Sequence, residues 1–171
     1  HLIGNDREAH TGLTGARGLD GGVEREDIRL ERDLVDRLDD ARDLVARLLD
    51  AGHEIVDFGC YSKDTVDYPE VAAQVSHAIL EKKIEKGILF CGTGIGMAMA
   101  ANKIKGIRAA QVHDMYSAQR AELSNNAHII TIGSKVVGEA LAGELVLEFL
   151  SQKYVDSPSG EKIKQVMNLD E

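Results

Sequence analysis

The sequence is poor in the residues that mark several classes of protein. It has no Trp, two Pro and two Cys among 171 residues, and aromatic residues make up 4% of it. Cys60 and Cys91 are too few for a disulfide scaffold or a zinc cluster, and they suit a reducing, cytoplasmic compartment. No apolar run approaches the roughly 20 residues of a membrane span, and no secretory signal pattern is present.

Basic residues are also scarce relative to acidic ones. Twenty Lys and Arg stand against 29 Asp and Glu, which gives a formal net charge of −9 at pH 7. This charge disfavours nucleic acid and anionic membranes as partners, although a local field can still hold a small anion. The length and the apolar fraction of 43% are typical of a globular chain with a full core, and we interpret residues 1–171 as one domain.

The most informative stretch runs from Gly87 to Lys103. Its apolar start predicts a buried parallel strand, and its last part consists of strong helix formers. Between them lies a glycine-rich loop, Cys91-Gly-Thr-Gly-Ile-Gly96. A strand, a glycine turn and a helix start can hold an anion through backbone N–H groups and the helix dipole. The glycine spacing fits neither the dinucleotide fingerprint nor the phosphate-binding P-loop.

Cys91, at the head of this loop, has two interpretations. A thiol at a helix N-terminus has its thiolate form favoured, which suits a chemical role. Cysteine is also among the most buried residue types, so a structural thiol beside a tight turn is equally compatible with the residues.

The rest of the chain alternates strand and helix patterns. Residues 7–32 are rich in Gly, Arg and Asp and predict an exposed loop or a disordered insertion. Further strands are predicted at 2–6, 54–58, 107–112 and 128–132, and helices at 33–52, 116–123 and 137–149, with another that starts at Asp67-Tyr-Pro and buries Val71, Val75, Ala78 and Ile79. The tail, 152–171, has a weak helical pattern. This alternation indicates an α/β fold with a mostly parallel sheet.

In such a fold, ligands bind beyond the carboxyl ends of the strands. This rule predicts that one edge of the sheet gathers the residues that follow the strands: Asp6, Cys60, Tyr61, Cys91, Gly92, Thr93, His113, Asp114 and Asn125.

These motifs together resemble the family of ribose-5-phosphate isomerase B and the galactose-6-phosphate isomerase subunits. The resemblance covers about residues 33–150, and residues 2–6 loosely. It rests on the Cys91 loop with Ala100-Ala-Asn-Lys103, and on Gly52-His-Glu, Asp57-Phe-Gly, Asp67-Tyr-Pro, Gly106-Ile-Arg-Ala, His113-Asp-Met-Tyr-Ser-Ala and Asn125-Asn-Ala. It implies a Rossmann-like three-layer sandwich with a five-stranded sheet. It also implies a homodimer or homotetramer with the active site between subunits.

The same resemblance implies the chemistry, which is interconversion of an aldose phosphate and a ketose phosphate through a cis-enediolate, without a metal or another cofactor. Cys91 matches the base, and Thr93 matches a residue that moves protons between the substrate oxygens. The backbone amides of Gly92, Gly94, Ile95 and Gly96 would hold those oxygens. Asp6 matches an acid that contacts sugar hydroxyls, and the substrate-contact positions are Tyr61, Asn102 and Asn125. His113 either touches substrate or is a hydrogen-bonded structural histidine.

Three family features are absent from this sequence. Arg7 follows the first acid where the family usually has His, Ser124 replaces the ring-opening His, and the tail lacks its two phosphate-binding arginines, with Lys162 and Lys164 nearby. A four-carbon ketose phosphate has no hydroxyl placed to close a five-membered ring, so it needs no ring-opening group. The run from Arg120 to Ala127 resembles the branch that isomerises erythrulose 4-phosphate, and ribose 5-phosphate is the other candidate substrate.

Two other functions stay open at this point. The lost groups suit a non-catalytic protein that binds sugar phosphates. They also suit one subunit of a hetero-oligomeric hexose-phosphate isomerase, in which a partner subunit supplies what is missing.

Overall fold

The computed structural model describes residues 38–59 and 67–169. The predicted strand at 2–6, the loop at 7–32, and Asp6, Cys60 and Tyr61 lie outside these residues. The described elements, in chain order, are α1 Leu38–Asp50, α2 Tyr68–Leu80, β1 Gly87–Cys91, α3 Ile95–Ala101, β2 Ala109–Gln111, α4 Met115–Leu123, β3 Ile129–Gly133, α5 Glu139–Ser151 and α6 Pro158–Met167. None of the helices in these two ranges is long and apolar enough to cross a bilayer.

The strands form one parallel sheet in the order β1-β3-β2. β3 is the last strand along the chain but lies between the other two. Cys91 pairs with Gly133, and Gln111 pairs with Thr131. Because the strands are parallel, their carboxyl ends meet at one edge of the sheet, which we call the carboxyl edge, and their first residues meet at the opposite, amino edge.

Helices cover both faces of this sheet. Apolar side chains of α1, α4 and α5 pack on the face that carries Phe90 and Ile132, while α2 and α3 pack on the face that carries Leu89 and Ile129. β1 and β3 are almost wholly buried, as expected for parallel strands that are covered on both sides. The described residues therefore confirm the three-layer α/β architecture that the sequence predicts.

The ends of the helices follow the predicted residues. α1 ends at Asp50, and Gly52 follows with a φ of +89°, which suits glycine. The N–H of His53 then donates to the Leu48 carbonyl at 3.0 Å. α2 begins after Asp67, with Pro69 in its first turn. α4 is capped by Asp114, whose carboxylate accepts hydrogen bonds from the backbone and the hydroxyl of Ser117. These bonds hold the pKa of Asp114 below its ordinary value.

Two details of the sequence prediction are wrong. The described residues form three strands rather than five, and residues 54–58 make no ladder pairing, although Ile55 is buried against α1. A strand exists only where a neighbour shares its hydrogen bonds, and no described segment pairs with this one.

The amino edge carries paired charges. The Lys86 ammonium bonds to Glu122 and to the Ala127 carbonyl at 2.9 Å, and it lies 5.2 Å from the centre of the Phe149 ring. Glu122, which is buried, also accepts the backbone N–H of Tyr154 at 3.2 Å. This ion pair ties the start of β1 to α4 and to the chain beyond α5.

A second cluster at this edge surrounds His128. Its Nδ1 accepts the backbone N–H of Arg108 at 3.2 Å, and the Arg108 Nε donates to the Asn126 carbonyl at 2.7 Å. Burial, together with the nearby charges of Arg108 and Lys86, lowers the pKa of His128 to about 4. The imidazole is therefore held in its neutral form.

Candidate active site

The glycine-rich loop joins the end of β1 directly to α3. Cys91 is the last residue of the strand, and α3 begins at Ile95 after a residue with φ of +79°, Gly94. A Cβ atom added at Gly94 would lie 3.1 Å from the backbone of Ile132 and Gly133, so both the backbone angle and the space require glycine. The strand, glycine turn and helix start predicted from the sequence are thus confirmed.

The Cys91 thiol is half-buried and free. Its sulfur accepts a hydrogen bond from the backbone N–H of Gly94 at 3.1 Å. The next N–H, that of Ile95, donates to the Thr93 hydroxyl at 3.3 Å. An N–H donor directed at the sulfur stabilises negative charge there, so the loop provides a thiol whose anionic form has a hydrogen-bond donor.

The first four carbonyl groups of the loop accept hydrogen bonds from β2, from β3 or from the residues that follow β3. Four successive carbonyls accept a donor each: Cys91 from Ser134 N at 2.9 Å, Gly92 from Lys135 N at 3.1 Å, Thr93 from Gln111 Nε2 at 2.8 Å, and Gly94 from Thr131 Oγ1 at 2.8 Å. The N–H of a trans peptide points away from its C=O, so the N–H groups of these peptides face away from those donors. Among the described residues, the N–H groups of Gly92 and Thr93 have no acceptor. They are available to an anion.

Close packing fixes the height of the loop above the sheet. A Cβ atom added at Gly133 would lie 2.6 Å from the carbonyl carbon and oxygen of Thr93. At Gly96 an added Cβ would lie 2.9 Å from the Tyr68 ring. Both glycines therefore allow a backbone or an aromatic ring to approach the loop, and the side chain of Ile95 is half-exposed beside it.

His113 lies at the same edge but not beside the thiol. It follows β2 by two residues, so the strand pairing places it level with Cys91. β3 lies between their strands, and two strand spacings correspond to about 10 Å. The His113 ring is 61% exposed, and its Nε2 lies 3.8 Å from the Asp114 carboxylate. It is exposed enough to contact a ligand that extends from the loop.

Two other predicted residues are not brought to this edge. The Asn102 side chain accepts the N–H of Ala109 and donates to its carbonyl, both at 2.8 Å. Ala109 is level with Gly87, four residues or about 13 Å along the sheet from Cys91. Asn125 lies in the turn that precedes β3 and donates to the Arg120 carbonyl at 2.7 Å. Both asparagines therefore belong to the amino edge of their own chain.

The tail also reaches the amino edge. The Arg108 Nη1 contacts the Met167 sulfur at the end of α6 at 3.1 Å. Within α6, Lys164 bonds to Glu161 at 2.6 Å, and this carboxylate raises the pKa of the lysine. The lysine that could replace a phosphate-binding arginine is thus paired within its own helix.

Sequence reasoning missed Gln111 and Thr131, which hold two of the loop carbonyls. Thr131 carries a sequence signal, because it is the one hydroxyl residue in the strand Ile-Ile-Thr-Ile-Gly and is fully buried. A buried hydroxyl needs a hydrogen-bond partner. Gln111 carries no comparable signal, since it is an exposed residue at the end of a short strand. In the described part of the chain, no three His, Cys, Asp or Glu side chains gather to hold a metal ion.

A thiol and outward-facing amides lie together at the carboxyl edge of a three-layer α/β fold, an arrangement that suits a small anionic ligand. The chain belongs to the Ribose/Galactose Isomerase family, whose model matches residues 37–166.

Named relatives and solved structures agree with this family. The chain is 44% identical to ribose-5-P isomerase B of Listeria innocua over 128 residues, which cover 75% of this chain and 86% of that protein. It is 50% identical to D-erythrulose-4-phosphate isomerase of Pectobacterium atrosepticum over 99 residues, which cover 58% of this chain and 65% of that protein. The type B ribose 5-phosphate isomerase of Leishmania infantum superposes with a TM-score of 0.77 at 31% identity, covering 86% of this chain and 97% of that one.

Proposed function

We propose that this chain interconverts the aldose and ketose forms of a small sugar phosphate through a cis-enediolate, with Cys91 as the base. Membership of the Ribose/Galactose Isomerase family makes it a sugar-phosphate isomerase. The observation that carries the assignment of the base is the position of the Cys91 sulfur on the same loop as the N–H groups of Gly92 and Thr93, which have no acceptor among the described residues.

The chemistry fits these groups step by step. The Cys91 thiolate removes the proton from C2 of the aldose, and the electron pair of that bond forms the enediolate while negative charge develops on O1. The outward-facing N–H groups of Gly92 and Thr93 stabilise this charge because they are already oriented, while the N–H groups of Gly94 and Ile95 stay on the Cys91 sulfur and the Thr93 hydroxyl. The exposed Thr93 hydroxyl carries the O2 proton to O1, and Cys91 returns its proton to C1. Bonds and protons balance within the substrate and these groups, so the reaction needs no external oxidant or reductant.

The substrate that suits the chain best is a four-carbon sugar phosphate. Ser124 stands where the family resemblance expects a ring-opening histidine, and it is buried, with its hydroxyl donating to the Arg120 carbonyl at 3.1 Å. It supplies no imidazole to open a furanose. Erythrulose 4-phosphate needs no such step, whereas ribose 5-phosphate does. A relative named for erythrulose 4-phosphate and another named for ribose 5-phosphate support these two candidates.

The proposal includes a homodimer or homotetramer with the site between subunits. Asn125 and Asn102 lie at the amino edge of their own chain, so a contact of either with substrate at Cys91 requires a second copy. Asp6 and Tyr61 are proposed to contact the sugar, and His113 the more distant part of the substrate.

Solvent exchange followed by proton NMR tests the proposal. The protein is incubated in deuterated buffer with erythrulose 4-phosphate and, separately, with ribose 5-phosphate. We expect deuterium next to the carbonyl together with product, faster with the four-carbon substrate. Cys91→Ala should slow exchange at least about 100-fold, which is the lower range for loss of a general base. Ser151→Ala, an exposed change at the end of α5, is the control for handling.

Each outcome separates one part of the proposal from another. Equal rates with the two substrates would contradict the ring-opening argument but leave the isomerase intact. Undiminished exchange in Cys91→Ala would contradict the base assignment. No exchange with either substrate would favour a binding protein, or a subunit that needs a different partner, and activity on mixing with a homologous subunit would distinguish these two.

A further inference from the structure

Two side chains from other strands hold the part of the loop that contains the chemistry. Gln111 at the end of β2 donates to the Thr93 carbonyl, and Thr131 in β3 donates to the Gly94 carbonyl, both at 2.8 Å. The carbonyls of Cys91 and Gly92 each have a backbone N–H donor instead, at 2.9 and 3.1 Å, and the Ser134 hydroxyl adds a longer bond of 3.4 Å to the Cys91 carbonyl. The second half of the loop therefore depends on two particular side chains.

The N–H groups of the same two peptides point at the Cys91 sulfur and at the Thr93 hydroxyl. The peptide from Thr93 to Gly94 has its C=O on Gln111 and its N–H on the Cys91 sulfur at 3.1 Å. The peptide from Gly94 to Ile95 has its C=O on Thr131 and its N–H on the Thr93 hydroxyl at 3.3 Å. Both peptides are trans, so holding one end of each plane sets the direction of the other end.

We propose that Gln111 and Thr131 are positioning residues, which orient these two peptide groups so that their N–H ends face the Cys91 sulfur and the Thr93 hydroxyl. The catalytic consequence rests on the proposed function, but the orientation itself does not.

The loop needs such anchors because its backbone is permissive. Three of the residues from 92 to 96 are glycine, and glycine adopts positive and negative φ almost equally well. Rotation of the Thr93–Gly94 peptide would replace the N–H at the sulfur with a carbonyl oxygen. That oxygen repels negative charge, so a flipped loop would oppose the thiolate that it now stabilises.

The two anchors should differ in strength. The Gly94 carbonyl has a second partner, the N–H of Ala98 at 3.2 Å, which belongs to the first turn of α3. For the Thr93 carbonyl, Gln111 is the only partner among the described residues. Loss of the Gln111 amide should therefore disturb the loop more than loss of the Thr131 hydroxyl.

The test compares variants that remove or keep each donor. Gln111→Met keeps the length of the side chain and removes the amide, whereas Thr131→Val removes the hydroxyl and Thr131→Ser keeps it. Gln74→Met, at an exposed position on α2, is the matched control. The readouts are kcat and KM, the rate at which iodoacetamide alkylates Cys91 as followed by peptide mass spectrometry, and the Gly94 amide resonance in proton–nitrogen NMR spectra.

We expect Gln111→Met to lower kcat about 10- to 100-fold with KM changed less than about threefold, as for misplaced catalytic groups. The same variant should shift the Gly94 resonance and slow alkylation of Cys91. Thr131→Val should lower kcat less than Gln111→Met does, with Thr131→Ser close to the parent protein. Gln74→Met should leave all three readouts unchanged.

The proposal is overturned if Gln111→Met keeps the parent kcat, alkylation rate and Gly94 resonance. It is also overturned if Gln111→Met and Thr131→Val change KM alone. Alkylation and the Gly94 resonance need no substrate, so a protein that turns over neither sugar phosphate but shows both changes would contradict the proposed function and support the positioning role. Because Gln111 is exposed, its variant tests the proposal even if Thr131→Val fails to fold.

Discussion

The two edges of the sheet use their polar groups in opposite ways. At the carboxyl edge, the chain bonds the loop carbonyls from behind and leaves two N–H groups and a half-buried thiol for a ligand. At the amino edge, Lys86 pairs with Glu122, and His128 pairs with Arg108. The comparison shows that a polar group can bind a ligand only where no other group of the chain already bonds to it. Polar groups at the carboxyl edge are therefore available to bind a ligand, whereas those at the amino edge stabilise the fold.

The largest expected effect on stability lies at the amino edge. Glu122→Gln keeps the shape and the acceptor for Tyr154 N but leaves the partly buried Lys86 ammonium without its counter-charge. Breaking a buried pair from one side costs about 3 kcal/mol or more. We expect urea unfolding to show a loss of this size, with kcat unchanged in the protein that remains folded. A fall in kcat without a loss of stability would mean that the two edges are not separate.

His128 should make the amino edge sensitive to acid. Its pKa is near 4 in the folded protein against 6.5 for an unperturbed histidine. Between these values the unfolded chain binds more protons, so the free energy of unfolding falls as the pH is lowered from about 6.5 to about 4. The loss stays below about 3 kcal/mol, because solvent screens the partly exposed ring, and it vanishes as the pH rises well above 6.5.

His128→Asn isolates this contribution. The Asn oxygen can accept the Arg108 N–H in place of Nδ1, but it does not titrate. Urea unfolding at pH 7.5 and pH 4.5 should show a smaller difference in the variant than in the parent. An identical difference in the two proteins would show that His128 does not cause the acid sensitivity.

The smallest expected effect on stability lies under the Cys91 loop. Gly133→Ala places a methyl group against the Thr93 backbone, which cannot move without lifting the loop. Overpacking of this kind costs about 1–3 kcal/mol, and we expect kcat to fall in Gly133→Ala, whereas Glu122→Gln leaves kcat unchanged. Gly138→Ala, where an added Cβ meets nothing within 4 Å, is the matched control. Parent-like kcat in Gly133→Ala would show that the height of the loop does not control the reaction.

The Cys91 loop can largely be predicted from the sequence, because the residues that form it are neighbours along the chain. The strand, the glycines and the helix formers from Gly87 to Lys103 are consecutive, so they predict the loop and its exposed amides. The buried face of α2, with Val71, Val75, Ala78 and Ile79, follows from the spacing of its apolar residues for the same reason. The carboxyl-edge rule, in contrast, is wrong for Asn125, because that residue precedes its strand and therefore lies at the other edge.

What the sequence cannot predict depends on strand order and register. Gln111 and Thr131 bond to residues 18 and 37 positions away, and they reach the loop only because β3 lies between β1 and β2. A one-residue shift of β3 would turn the Thr131 hydroxyl to the opposite face. Likewise, the apolar pattern of residues 54–58 does not specify whether a neighbouring strand is there to pair with it.

The position of β3 between β1 and β2 also determines when the Cys91 loop can take its shape during synthesis. β1 and β2 leave the ribosome first, but they are not neighbours and share no ladder. Until residues 129–135 have emerged, the Cys91 loop lacks Gly133 beneath it and three of its four carbonyl donors. In a nascent chain the Cys91 loop therefore lacks its final shape, and insertion of β3 joins the three described strands and shapes the loop in one event.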